Sequence, residues 1–279
     1  MTNPVIIVDS SGDIDKEYFN TPIYKVPMHI ILDDKEYLDD DTLDIKDFVN
    51  EMEKSNKSST ACPTPDSWLN IAKEYDNIFL VTITSELSGT YNSALTAKTM
   101  LEDIDENKKC AVIDTKTAAG GVVLVLEKLQ DLINENLPFE EIVEKINAYI
   151  SSIETTFALF KVDNFVNNGR IGKALLGVIN LLNISFVLEA KQGKIGLVSK
   201  ARGVKKTLTN LYETILEKDY NGKKMIISYC ENLDNALFIK DKLTEIYNNA
   251  EIKIVRMHAL CSYYAERGGI VIGYEVQYI

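Results

Sequence analysis

The stretch Asn77-Ile78-Phe79-Leu80-Val81-Thr82-Ile83, followed by Thr84-Ser85-Glu86-Leu87-Ser88-Gly89-Thr90-Tyr91-Asn92-Ser93-Ala94, decides how this chain folds. The first seven residues are apolar and β-rich enough for a strand buried on both faces. Leu87, Tyr91, Ala94 and Leu95 then follow at helical spacing within a segment that runs to Leu101. A strand feeding a helix through a Ser/Gly loop is the repeating unit of a parallel α/β layer. The same unit recurs on either side. Val5 to Val8 runs into the polar loop Asp9-Ser10-Ser11-Gly12-Asp13, and Cys110 to Ile113 precedes two helical segments, Ala118 to Ile133 and Phe139 to Ile153, the second opened by Pro138. Tyr24 to Leu32 and Glu36 to Leu38 read as strands around the turn Asp33-Asp34-Lys35. The acidic run Asp39-Asp40-Asp41 reads as a solvated lead into a helix over Ile45 to Met52.

Beyond residue 155 the texture changes. Phe157 to Val162, Ser185 to Ala190, Ile195 to Ser199, Met225 to Cys230, Ile252 to Met257 and Gly269 to Val276 read as strands, with helices near 203–217 and 233–247. Lys191-Gln192-Gly193-Lys194 between two of them predicts a hairpin, which a purely parallel sheet would not contain. The expected organisation is an N-terminal parallel α/β domain over residues 1–155 and a C-terminal α/β domain with a mixed or antiparallel sheet over 156–279.

The chain's 279 residues are 46% hydrophobic and 26% charged, enough for a real core and unlike a disordered chain. A formal net charge of -12 is unsuited to lying along a phosphate backbone, so nucleic acid is not an expected partner. Cys62, Cys110, Cys230 and Cys261 are scattered without CxxC spacing, which indicates neither a metal site nor a disulfide framework and fits a reducing cytoplasm. The N-terminal apolar stretch is too short for a signal peptide, and none elsewhere approaches a bilayer span. GxGxxG after a strand, GxxxxGK[ST], HExxH and GxSxG are all absent. Of two histidines, His29 in an apolar strand is expected to be a satisfied core residue. His258 leaves a Ser/His/Asp triad weakly supported.

What remains is a supply of hydroxyls in loops expected to join strands to helices: Ser58-Ser59-Thr60-Ala61-Cys62-Pro63-Thr64-Pro65 and Thr82 to Ala94. A third polar loop is Asn167-Asn168-Gly169-Arg170-Ile171-Gly172-Lys173. Backbone N–H groups at a helix start with Ser and Thr beside them can hold a carboxylate or phosphate without a full positive charge. Each loop alone is also explained by ordinary capping.

Five ordered segments, VIIVDSSGDI, TACPTP, SELSGTYNSA, NFVNNGRIGK and SKARGVKKTL, together resemble the DegV family of bacterial fatty-acid-binding proteins over nearly the full length. The resemblance implies a two-domain DegV-like fold with a ligand tunnel between the halves. It implies a non-enzymatic subunit, free of metal and cofactor, that binds a long-chain fatty acid and presents its carboxylate to a separate ATP-dependent fatty acid kinase. Onward hand-over of the acyl group to a membrane or an acyltransferase, toward phospholipid synthesis, is part of the same implication. Carried over by position, Thr60 and Ser88 would hydrogen-bond the carboxylate with Gly89 and Thr90 close by, and Arg170 would engage the kinase. Ala61 and Cys62 replace a hydroxyl and an amide of the family motif. The family's C-terminal HxGPG pattern is missing from CSYYAERGG, leaving Tyr263, Tyr264 and Arg267 as candidates for the histidine's place.

In this reading an apolar tunnel supplies affinity, at about 0.8 kcal/mol per buried methylene, and the hydroxyls set where the carboxylate sits. Leu175 to Ile179, Ile184 to Leu188, Phe157, Leu159 and Phe165 are candidate tunnel residues, although core and tunnel share one periodicity. Lys200, Arg202, Lys205 and Lys206 read as a solvated helix start or, in so acidic a chain, as positive potential for a nucleotide or acyl-phosphate during transfer. Two rivals remain: an acyl hydrolase or transferase with Ser88 as nucleophile, and a regulator that binds a small anion.

Overall fold

The computed structural model describes residues 4–14, 18–19, 23–171 and 184–277. Four short runs, β1 (Val5–Asp9), β2 (Ile23–Val26), β6 (Asn77–Thr82) and β7 (Lys109–Asp114), form one sheet in the order β2-β1-β6-β7 with every pairing parallel. The alternation of side chains along β1 and β6 explains why these strands are apolar throughout. Val5, Ile7, Ile78 and Leu80 pack on α2 (Pro65–Ala72) and α3 (Thr90–Ile104) through Trp68, Ala94 and Leu101. Ile6, Val8, Phe79 and Val81 pack on α4 (Gly120–Asn134) and α5 (Phe139–Ile150) through Val122, Leu126, Ile142 and Ile146. Each such side chain contributes about 1.5–3 kcal/mol by leaving water.

The second sheet has six strands in the order β10-β9-β8-β13-β11-β12: β8 (Ile153–Leu159), β9 (Ser185–Lys191), β10 (Lys194–Ala201), β11 (Tyr220–Tyr229), β12 (Glu251–Arg256) and β13 (Ile270–Val276). Only β11 and β12 run parallel, so this sheet is mixed. The hairpin over Lys191 to Lys194 is present, and its two-residue turn takes positive φ at both Gln192 (50°) and Gly193 (83°), as a tight β-hairpin requires. One face is covered by α7 (Val204–Glu217) and α8 (Leu233–Thr244). On the other face α4 is wedged against the parallel sheet's neighbour: a Cβ on Gly273 of β13 would lie 2.5 Å from the Gly121 Cα of α4.

Several expectations are corrected. Tyr24 to Leu32 is two strands. Pro27, with no N–H to offer a ladder, separates β2 from β3 (His29–Leu32), and β3 turns into a small antiparallel sheet, β4-β3-β5, with β4 (Lys35–Leu38) and β5 (Ser58–Ala61). Residues 58–61 are therefore a strand and not a loop. His29 is half-exposed on β3, its Nδ1 2.5 Å from Glu36 Oε1 of the neighbouring strand, and is no core residue. Asp39 is not solvated but fully buried, and Asp44 instead caps α1 (Ile45–Met52) by accepting the Asp47 N–H. Among the described residues three helices were not foreseen: α2, the short α6 (Asp163–Asn167) and α9 (Ala259–Ala265). Among the described residues no helix is long and apolar enough to cross a membrane.

Candidate functional site

In the parallel sheet the chain leaves β1 toward β2 on one side and returns toward β6 and β7 on the other, and a crevice opens at the strands' carboxyl ends at such a switch point. The loops after β6 and β7 border it, through Ser88 and Thr117 among others. Facing them, α9 and the β8, β9 and β13 surface of the mixed sheet close a cavity of about 320 Å³. Phe157, Leu159, Phe165, Ile195, Val271 and Ala265 line its apolar part. Successive inward residues of β8 are Thr155, Phe157 and Leu159, so the strand floor spans roughly 13 Å at about 3.3 Å per residue.

Polar groups gather where the floor meets the loops. Thr60, on β5, pairs hydroxyl to hydroxyl with Tyr264 at 2.8 Å, and Tyr264's ring rests 4.8 Å from that of Phe165. Ser88 pairs with Thr90 at 2.7 Å, while the Thr90 N–H donates to Ser88 Oγ at 3.3 Å. Gly89, the N-cap of the 15-residue α3, has no side chain to cap it, and the Thr90 amide at the helix start is met by the Ser88 hydroxyl at the cavity wall. Thr60, Ser88, Gly89 and Arg170 all line the cavity. Thr90 does not: it is fully buried behind Ser88, donating at 3.4 Å to Met28 Sδ. Arg170 is exposed at the mouth, where its Nε donates to Leu87 O at 3.0 Å and its Nη1 to Asn168 O at 2.6 Å. This anchors the guanidinium beside the Ser88 loop.

Of the three candidates for the missing histidine's place, only Tyr264 lines the cavity. Tyr263 donates to Ser58 Oγ at 2.6 Å and receives the Asn168 amide, and Arg267 is engaged with Glu53 and Asn50. Burial raises Tyr264's pKa, so it remains an O–H donor at neutral pH. Among the tunnel candidates, Phe157, Leu159 and Phe165 line the cavity. Ile184 to Leu188 do not: Phe186 and Leu188 are buried in the cluster that also holds Phe48 and Val49, and Val187 lies in the core on the other face with Leu208 and Leu211. Leu175 to Ile179 lie outside the described residues. Met28, Ile83, Leu260 and Ala265 line the cavity without having been singled out. The i, i+4 spacing of Leu260 and Tyr264, with Cys261 and Ala265, was their available signal.

A carboxylate cluster stands behind these hydroxyls. Asp9 accepts from Ser11 N–H at 3.0 Å and Ile83 N–H at 2.8 Å, Asp13 from His258 N–H at 2.9 Å, and Asp39 from Ala259 and Leu260 N–H at 2.8 and 3.0 Å. Burial pushes Asp9 up to about 6 and Asp13 up to about 8, and raises Asp39 as well. Among the described residues no group of acids, cysteines and histidines has the arrangement to hold a metal ion.

The family described as "Uncharacterised protein, DegV family" matches residues 4–276. The chain belongs to the DegV family. A DegV domain-containing protein of Streptococcus pneumoniae is 40% identical over 276 residues, covering 97% of this chain and 98% of that protein. Among solved structures, the DegV chain is similar to the S. pneumoniae Fatty Acid Kinase (Fak) B3 protein loaded with linoleic acid. The TM-score is 0.95 at 39% identity, over 99% of this chain and 100% of that one. A DegV family protein from Eubacterium eligens loaded with heptadecanoic acid gives a TM-score of 0.93 at 36% identity, over 98% and 100% of the two chains.

Proposed function

We propose that this DegV protein binds a long-chain fatty acid, with its tail on the apolar floor and its carboxylate at the two hydroxyl pairs, and presents that carboxylate to a separate ATP-dependent fatty acid kinase. The observation that carries the reading is the joining, in one cavity of about 320 Å³, of an apolar floor with the Thr60–Tyr264 and Ser88–Thr90 pairs at its mouth. In each pair one hydroxyl can donate to the other and leave one O–H for the ligand. Thr90 donating to Ser88, in place of the weak thioether bond to Met28, frees the Ser88 proton. Two such donors add roughly 1.5–3 kcal/mol each against a charged acceptor. Burying a tail of about 16 carbons contributes on the order of 12 kcal/mol before immobilisation costs. The tail therefore supplies affinity and the hydroxyls supply position. Arg170, exposed at the mouth and fixed by Leu87, is the residue we assign to the kinase-facing side.

The bound acids of the Streptococcus and Eubacterium relatives support the ligand class, and the kinase named in the former supports the partner. The rival with Ser88 as nucleophile needs a base at Ser88, and the partner of that hydroxyl is Thr90, which is no base. A small anion alone would leave the Phe157 to Val271 floor unfilled. Mass spectrometry of organic extracts from freshly purified protein tests the proposal: a co-purifying long-chain acid at near-stoichiometric yield is expected. Protein that neither carries one nor takes one up from solution refutes it.

A further inference from the structure

Asp13 and Asp39 lie at 3% and 0% exposure and line no part of the cavity, yet they meet at the one element that brings Tyr264 to it. That element, α9, has only seven residues, too few to stand by propensity, and its first N–H groups have no partners within the helix. The side chain of His258, at its N-cap, does not cap it. The amides of His258, Ala259 and Leu260 are instead taken by Asp13 and Asp39, whose positions are 245, 220 and 221 residues away in sequence. From this pinned start, one helical turn places Leu260, Cys261, Tyr264 and Ala265 in the cavity wall, with the Tyr264 hydroxyl against Thr60. The surroundings are themselves ionisable: Asp9 from β1, Cys261 donating to Ser11 O, and Lys25 of β2, which reaches His258 Nδ1 at 3.4 Å and pairs with Asp41. The Asp13 Oδ2 has no hydrogen-bond partner, so Asp13 holds α9 through Oδ1 alone while Asp39 uses both oxygens.

We propose that Asp39, seconded by Asp13, is a positioning residue for the head-group site: it holds the start of α9 so that Tyr264 meets Thr60 at the cavity mouth. This rests on the fatty-acid reading of that cavity. A merely structural role would lower stability and lower binding independently of Tyr264. A positioning role acts through Tyr264, so the two losses do not add.

The test is a double-mutant cycle of Asp39→Asn and Tyr264→Phe, read as the affinity for oleic acid. Each single variant is expected to bind about tenfold more weakly, and the double variant no more than about tenfold, since Asp39 has nothing left to position. A double variant weakened about a hundredfold, or a folded Asp39→Asn that binds like wild type, overturns the proposal. Should Asp39→Asn not fold, Ala259→Pro removes one of the two amides Asp39 holds, at the first helical position where proline is tolerated, and is read in the same cycle. Wild-type protein that takes up no oleic acid sinks the reading of the cavity itself. Wild type that binds, with an additive cycle, sinks only the positioning role.

Discussion

The two sheets meet at one cavity and contribute opposite chemistry to it. The parallel sheet offers its strand ends, where Ile83, Ser88 and Gly89 sit in the loop after β6. The mixed sheet offers a strand face, Thr155, Phe157, Leu159 and Val271, whose backbone groups are already paired in the ladder. A face of paired backbone can only be apolar or side-chain polar, whereas a loop end has N–H groups to give to an anion. The difference divides the cavity's chemistry between the two sheets: under the proposed function, the loops would orient a head group and the face would hold a tail.

Four substitutions break or sharpen that division. Val271→Trp puts a large ring on the floor where the tail would lie. Loss of fatty-acid retention by more than a hundredfold, measured by extraction and mass spectrometry with the circular dichroism unchanged, is expected, and retention at the wild-type level would show the tail lies elsewhere. Asp13→Asn probes the loop side. A carboxyl whose folded pKa of about 8 exceeds the unfolded 3.8 contributes stability that is complete below about 3.8 and lost as pH rises to about 8. Asparagine stays neutral, so the variant should gain on wild type across that window, by on the order of 5 kcal/mol at pH 8. Urea melts at pH 4, 6 and 8 measure it, and parallel pH curves for the two proteins would contradict a buried neutral Asp13. Ser88→Ala should weaken acid binding by about 2 kcal/mol, near thirtyfold, and reduce acyl-phosphate formation with the kinase present. Normal binding by this variant removes the head-group assignment. Arg170→Ala has the smallest expected effect on binding, none within error, with the kinase-dependent step impaired. A large loss of affinity would move Arg170 from the partner-facing side into the carboxylate site.

How much of this was legible differs by element. The run Asn77 to Ile83 announced a doubly covered strand because both faces demand apolar side chains, and β6 is buried from Ile78 to Thr82. Ser58 to Ala61 read as a loop because its residues are hydroxylic, yet β3 supplies the ladder that makes it a strand, with Thr60 opposite Ile30. The Pro63-Thr64-Pro65 cluster hid the start of α2, although Thr64 accepting the Ser67 N–H and Pro at the first turn are helix-start chemistry. Asp39 looked solvated within an acidic run. Its burial is explained only by α9 amides more than two hundred residues away. For the site, Thr60, Ser88 and Gly89 were reached by position in the DegV pattern, while the choice of Tyr264 over Tyr263 and Arg267 needed coordinates.

The sequence by itself determined the two sheet types, the hydroxyl loop after β6 and the family, because hydrophobic period and local loop chemistry are properties of neighbouring residues. Tertiary structure alone decided which apolar side chains line a void and which fill a core, and which buried carboxylates cap a distant helix. Those outcomes depend on what arrives opposite a residue in space, and the period of a strand is the same whether a side chain or a cavity faces it.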